Sequence, residues 1–299
     1  MKETIVCIGK IGSKPYRFPE TGICVFSYEE LCYYLSGHML FYLYTLPEEG
    51  LLTYIRDELK LSRLYRQLIK LDDPGRDQMK YFAALFREGN YYSEDDIRVI
   101  LDKYRSLKNT PYPVQCKWIG DLYSSAGRSS MAAFYYKEAL KFETLDSQTR
   151  GAVHHNMAVA KARLFRFEDA KVEFLKAYQH SGVEDSLFYY YCIVAMLDGI
   201  QAASEELSSF EVSDLVRESF ENRFAGISDE FRYTKAAAGA ERIDFLLKND
   251  RPKEAESVKE KFVAKLRQDF RKELYMDENL LVTNLPIGYT INYGPEEKR

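Results

Sequence analysis

The chain has 299 residues, of which 46% are apolar and 29% charged, an ordinary balance for a chain that folds around a core. With 42 Lys+Arg against 46 Asp+Glu the formal charge is -4, so there is no basic surplus to recruit nucleic acid or an anionic membrane. Cys7, Cys24, Cys32, Cys116 and Cys192 are odd in number, widely spaced and free of C-x-x-C, which excludes a disulfide framework and a zinc knot. They are expected to be buried structural thiols in a reducing compartment.

Met1-Lys2-Glu3-Thr4 has no apolar signal core behind it, and a cytoplasmic chain is expected. The longest apolar runs, Met39 to Leu46 and Leu187 to Leu197, are shorter than the ~20 residues a bilayer requires and read as buried helix. With 24 Tyr and 18 Phe beside one Trp, aromatic rings are expected to carry much of the packing.

Thr4 to Ile8 and Ile23 to Phe26 are β-branched or apolar runs separated by Gly9, Gly12, Pro15, Pro19 and Gly22. They predict two short strands joined by a long loop over residues 1–26. Gly9-Lys10-Ile11-Gly12-Ser13-Lys14 lacks the spacing of a phosphate loop and reads as a turn. Helices follow over residues 27–108. Ser27-Tyr28-Glu29-Glu30 is a capping box that opens the first. Pro47-Glu48-Glu49 and Asp73-Pro74 start later ones, and Ser93 to Asp96 caps a helix carrying Ile97, Ile100, Leu101 and Tyr104. Between them, Leu61 to Leu71 bears Arg63, Arg66 and Lys70, while Leu64, Leu68 and Ile69 suggest an ordinary packed face. Asn109-Thr110-Pro111-Tyr112-Pro113 breaks the run.

Residues 109–211 contain an internal repeat. Cys116, Ile119, Gly120, Tyr123, Gly127, Ala132, Tyr136 and Ala139 reappear 38 residues later as His154, Met157, Ala158, Lys161, Phe165, Ala170, Phe174 and Ala177. Two helices pack closely where small residues meet, and a large ring must fill the gap beside them. The extra residues of the first copy fall within Phe142 to Thr149 and are expected to lengthen the second helix or its loop. A weaker third copy has Cys192, Ala195 and Gly199, with Ser204 and Ser208 in place of the alanine and the aromatic. Met79 to Leu107 is a degenerate hairpin on the other side.

This pattern resembles the tetratricopeptide repeat family. The resemblance implies an α-α superhelix, and with the short N-terminal β-hairpin and a long C-terminal helix as its cap the chain is expected to be mostly all-α. Residues 212–278 supply helices at the C-terminal end. One runs from Asp229 to Leu247 with small residues Ala236 to Ala240. The last carries an apolar stripe of Ala255, Val258, Phe262, Leu266, Phe270 and Leu274. Residues 279–299 read as an extended tail.

No motif of an enzyme is present. H-E-x-x-H, G-x-S-x-G, a Walker loop and a dinucleotide fingerprint are all absent from the sequence, and adjacent His154 and His155 point in different directions on a helix. No catalytic residue, metal or cofactor is therefore expected. The family resemblance instead implies that the inner face of each first helix meets a protein or peptide. Position by position, that face is Lys117, Trp118 and Asp121, then His155, Asn156, Val159 and Arg163, then Tyr189, Tyr190 and Ile193. Lys117 and Asn156 match positions that hold a terminal carboxylate in chaperone-binding members, whereas Asp121 and Tyr190 depart from that clamp. The expectation is a non-catalytic adaptor that binds neither nucleic acid nor membrane, with self-association left open. The alternative is a resemblance to peptide-sensing bacterial regulators, in which an N-terminal effector region precedes the repeats.

Overall fold

A computed structural model describes residue 7 and residues 9–47, 49–71 and 78–273. The described residues are mostly helical, with fourteen α-helices and one small two-stranded sheet. The chain divides into two compact units, Met1–Ile193 and Val194–Arg299.

In the first unit, strand β1 (Ile11–Arg17) pairs antiparallel with β2 (Cys24–Ser27). The second strand falls where the sequence predicts it. The first lies later than expected, across the Gly12 and Pro15 segment read as loop, whereas most of Thr4 to Ile8 lies outside the described residues. The pairing slips between Ile11 and Tyr16. In that slipped segment the Ser13 and Lys14 amides, which have no ladder partner, donate to the Glu58 carboxylate at 2.9 and 3.2 Å. The Phe26 amide of β2 donates to Glu30 at 2.6 Å. Carboxylates from α1 and from the turn after Asp57 thus satisfy backbone groups that would otherwise template another strand.

Helix α1 (Tyr28–Gly37) opens on the expected capping box, with the Glu30 amide donating to Ser27 Oγ at 3.1 Å. The Met39 run is a short 3-10 turn, Met39–Tyr42. There follow α2 (Glu49–Asp57), α3 (Ser62–Leu71), α4 (Gln78–Arg87) and α5 (Glu94–Asn109). Asp73-Pro74, read as a helix start, lies outside the described residues. Next come α6 (Tyr112–Ser125), α7 (Ser129–Ala139), α8 (Ser147–Arg163), α9 (Phe167–Ser181) and α10 (Glu184–Leu197).

One buried core runs from Phe18 to Ala160 and crosses the break at Asn109 to Pro113. Aromatic rings carry it across. Phe18 stacks on Tyr34 at 3.6 Å, Tyr34 on His38 at 4.1 Å, and Phe41 meets Tyr123 at 4.8 Å. Gln115 fastens the same junction. Its amide nitrogen donates to the Leu107, Lys108 and Thr110 carbonyls, and its oxygen accepts from Tyr44. The orphan carbonyls at the end of α5 are thereby satisfied by the next helix.

Helices α6–α7 and α8–α9 form the two expected hairpins. Ser147 and Gly151 at the start of α8 meet His180 and Ser181 at the end of α9, so the pair is antiparallel. Cys116, Gly120, Ala132, Tyr136 and Ala139 are buried, as are His154, Ala158, Ala170, Phe174 and Ala177. A Cβ on Gly120 would lie 2.6 Å from the Tyr136 ring, which shows why the small position is small. The insertion lengthens the loop and not the second helix: α7 stops at Ala139, residues 140–146 form the connection, and Ser147 to Thr149 already open α8.

In the second unit lie α11 (Ile200–Leu207), α12 (Asp214–Arg232), α13 (Lys235–Lys248) and α14 (Pro252–Glu273). The single helix expected over Asp229 to Leu247 is broken, because Thr234 caps α13 by accepting from the Ala237 amide at 3.2 Å. A Cβ on Gly239 of α13 would lie 2.7 Å from Phe262 of α14, the close contact expected of the small-residue segment. The α14 stripe is buried at Ala255, half-buried at Val258 and Phe262 and exposed at Leu266. Leu274 and the expected extended tail lie outside the described residues.

The third copy is shifted by one residue: Ala203 and Leu207 are buried, rather than Ser204 and Ser208. The turn explains it. In the first two copies a left-handed residue is followed by a separate N-cap, whereas Gly199 is itself the N-cap of α11. One residue fewer in the turn advances every later helical position by one.

Among the described residues no helix is long and apolar enough to cross a membrane. Among the described residues none of the five cysteines is in a disulfide. Burial pushes the Cys32 thiol up to about 12 and that of Cys116 up to about 11, but Cys24 is exposed and Cys7 and Cys192 are half-buried. Full burial as structural thiols therefore holds for two of the five.

Candidate partner-binding surface

The ten residues singled out by the repeat sit on α6, α8 and α10, and the structure divides them into three kinds. Asp121 is the centre of the first. Its Oδ2 accepts from Lys117 Nζ at 2.7 Å, and its Oδ1 accepts from Tyr136 Oη and Asn156 Nδ2, both at 2.8 Å. One carboxylate therefore ties α6 to its hairpin partner α7 and to the first helix of the next hairpin, α8. Burial and the neighbouring Asp121 charge push the Tyr136 hydroxyl well above the usual tyrosine range, so it stays a donor. Lys117 and Asn156 are engaged with Asp121, and the arrangement differs from an open carboxylate clamp. Arg163 likewise reaches back from α8 to the Ser124 carbonyl at 3.1 Å.

The second kind is core. Ile193 is buried with Ala158, Ala170 and Phe174, and Val159 and Tyr190 pack half-buried against them. Small residues at Ala158 and Ala170 leave the space that Ile193 enters from α10.

The third kind remains accessible. Trp118 is 36% exposed and Tyr189 42% exposed. Tyr189 is held by stacking on Phe174 at 5.4 Å and by an edge contact with His155 at 5.7 Å. His155 in turn shares a 2.9 Å hydrogen bond between Nδ1 and Ser186 Oγ. Burial lowers the His155 pKa against the opposing pull of Asp185, which favours the neutral ring.

A polar cluster not singled out by the sequence lies inside the second hairpin. Glu173 accepts from Lys161 at 2.9 Å and lies 2.6 Å from His154 Nδ1, with the His154 ring stacked 5.4 Å from His180. Burial opposes the Glu173 charge, but hydrogen bonds from His154 and Lys161 outweigh it and hold the carboxyl down at about 2. The equivalent residues of the first hairpin, 38 positions earlier, are Tyr123 and Tyr135, which stack at 5.5 Å. The same strut between helices is aromatic in one copy and ionic in the next. A lysine and a glutamate aligned with two tyrosines are the trace of this in the sequence.

Among the described residues no group of three or more His, Cys, Asp or Glu is placed to hold a metal ion. What the geometry defines is a mostly helical chain with one small sheet, in which Trp118 of α6 and Tyr189 of α10 stay accessible while Lys117, Asp121 and Asn156 are hydrogen-bonded to one another. Compared with protein-family profiles, with curated proteins and with solved structures, the chain matches none of them.

Proposed function

We propose that the chain is a non-catalytic adaptor of tetratricopeptide type, binding a protein or peptide along the first helices of its hairpins. The observation that carries this reading is the exposure of Trp118 and Tyr189 on the first helices, where Lys117, Asp121 and Asn156 are already paired with one another. Large rings held on rigid helices, with two rotatable bonds each, are the side chains that most often anchor a partner. Because Lys117, Asp121 and Asn156 are committed to one another, recognition rests on the two rings and on His155, and a free terminal carboxylate is not the preferred ligand. The Asp121 and Arg163 bonds supply the preorganisation that limits the entropic cost of binding.

A photo-crosslinking side chain introduced at position 118 in the cell of origin tests the reading. One dominant protein adduct, lost when Tyr189→Ala is added, is the expected result. An absence of adducts, with the fold intact, would overturn it.

A further inference from the structure

We infer that the segment Leu280 to Ile287 folds back over an apolar face at one end of the second unit, formed by Ile227 and Phe231 of α12 and Leu266 of α14. The face arises where two apolar stripes outrun their cover. On α12, Phe220, Phe224, Ile227 and Phe231 follow one another at helical spacings of four, three and four. Phe220 is buried and Phe224 half-buried, whereas Ile227 is 51% and Phe231 54% exposed. On α14 the stripe Ala255, Val258, Phe262 and Leu266 passes likewise from buried to 46% exposed. Phe245 and Leu247 are exposed too, but they stand at the opposite end of α13, beside buried Leu246.

Both stripes run out at the same place. Helices α13 and α14 are joined by residues 249–251, and Gly239 lies against Phe262, so the two run antiparallel. Leu266, one turn beyond Phe262, is therefore level with Lys235 at the start of α13, one turn before Gly239. Tyr233 and Thr234 join that start directly to the end of α12. Helix α14 continues to Glu273, roughly 10 Å past the level at which α13 begins.

Residues 274–299, which lie outside the described residues, follow from this end. Among them Leu280, Leu281, Val282, Leu285 and Ile287 make five apolar residues in eight, a load that gains by leaving water. Leu274 to Asn279 can extend up to about 20 Å, twice the overhang of α14, so Leu280 can reach back to Leu266. So short a link also holds the segment at an effective concentration on the order of millimolar, which a separate protein would have to match. A second copy suits the face less well. With exposed Tyr233, these side chains offer on the order of 500 Å², short of the about 800 Å² per partner of a stable interface.

The test uses the full chain with a photo-crosslinking side chain in place of Phe231, read by peptide mass spectrometry. The expected adduct is intramolecular and joins position 231 to the peptide containing Leu280 to Ile287. It should be lost in Leu281→Asp/Ile287→Asp and kept in Trp118→Ala, which separates it from the partner surface on the repeats. By hydrogen exchange, amides around Phe231 and Leu266 should exchange at least ~tenfold faster in the aspartate variant, while those of α8 and α9 stay unchanged. Circular dichroism checks that the variant is folded; if it is not, the crosslink in the otherwise unaltered chain decides. Adducts to a second copy, or to the helices of the unit alone, overturn the inference. Exchange around Phe231 and Leu266 that the aspartates leave unaltered overturns it as well.

Discussion

Gly127 and Phe165 occupy the same place in successive hairpin turns and adopt the same left-handed backbone, with φ of 73° and 57°. Each is followed by an arginine N-cap of nearly identical conformation, Arg128 and Arg166. Glycine enters that region freely, whereas a bulky side chain meets a steric cost of roughly 1–2 kcal/mol. Phe165 nevertheless holds it, 64% exposed and edge-on to Phe167 at 5.8 Å.

Gly127→Ala is therefore expected to destabilise the chain by about 1–2 kcal/mol, and Phe165→Gly to leave it as stable or up to ~1 kcal/mol more so. Urea unfolding of both variants measures this. A neutral Gly127→Ala would mean that the turn does not have the left-handed form.

Gly120 sets two effects against each other. Replacing a mid-helix glycine with alanine ordinarily stabilises by roughly 1 kcal/mol. Here the new Cβ would sit 2.6 Å from Tyr136, a core ring tied to Asp121, and overpacking of this kind costs about 1–3 kcal/mol. Gly120→Ala should lower the melting temperature, and Ala170→Leu should do the same in the second hairpin. Parent-like melting of both would contradict the packing at these crossings.

The Glu173 cluster gives the stability a defined pH dependence. The folded carboxyl lies at about 2, below its ordinary 4.5, so the stabilisation is complete above about 4.5 and is lost as pH falls towards 2. The shift corresponds to about 3 kcal/mol in that window. Glu173→Gln should flatten the acid limb of a stability–pH profile taken from urea unfolding; an unchanged limb would remove Glu173 as its source.

Histidines add a second limb at milder pH. Burial lowers the pKa of His38, His155 and His180, with the His154 and Arg150 charges assisting at His180. A depressed folded value means that stability present above about 6.5 declines as pH drops below it, because the folded state resists the proton. Titration of the His155 ring proton signals by NMR should show a midpoint below 6.5, and a midpoint above it would contradict the packing against Phe174 and Tyr189.

Trp118 is the sole tryptophan and reports on its own surroundings. At 36% exposure it should be quenched by acrylamide, and Trp118→Ala should cost less than the ~3–5 kcal/mol of a buried ring. If it anchors a partner, the same substitution should weaken binding by ~2 kcal/mol or more. A quench-resistant, strongly blue-shifted emission would show a covered ring and remove it from the binding surface.

The hairpins were legible because their signals are local. Gly120 and Ala158, Ala132 and Ala170, and Tyr136 and Phe174 recur at one spacing, and helical geometry places such residues on the same face whatever surrounds them. The capping box at Ser27 to Glu30 is equally local, since both its hydrogen bonds close within four residues.

Distance in the chain marks what sequence could not supply. Strand β1 lies over Gly12 and Pro15 because Glu58, 45 residues from Ser13, accepts the amides that the slipped pairing leaves over. Asp121 became a joint between hairpins only once Asn156, 35 residues on, was brought within 2.8 Å. The third copy moved by a residue because the turn at Gly199 is shorter, a change of backbone conformation that residue spacing does not record. Periodicity determines which face of a helix is apolar, since that follows from its own geometry. Which polar groups on the remaining faces are paired, and which rings stay in solvent, is decided only when distant helices pack and each buried donor must find an acceptor.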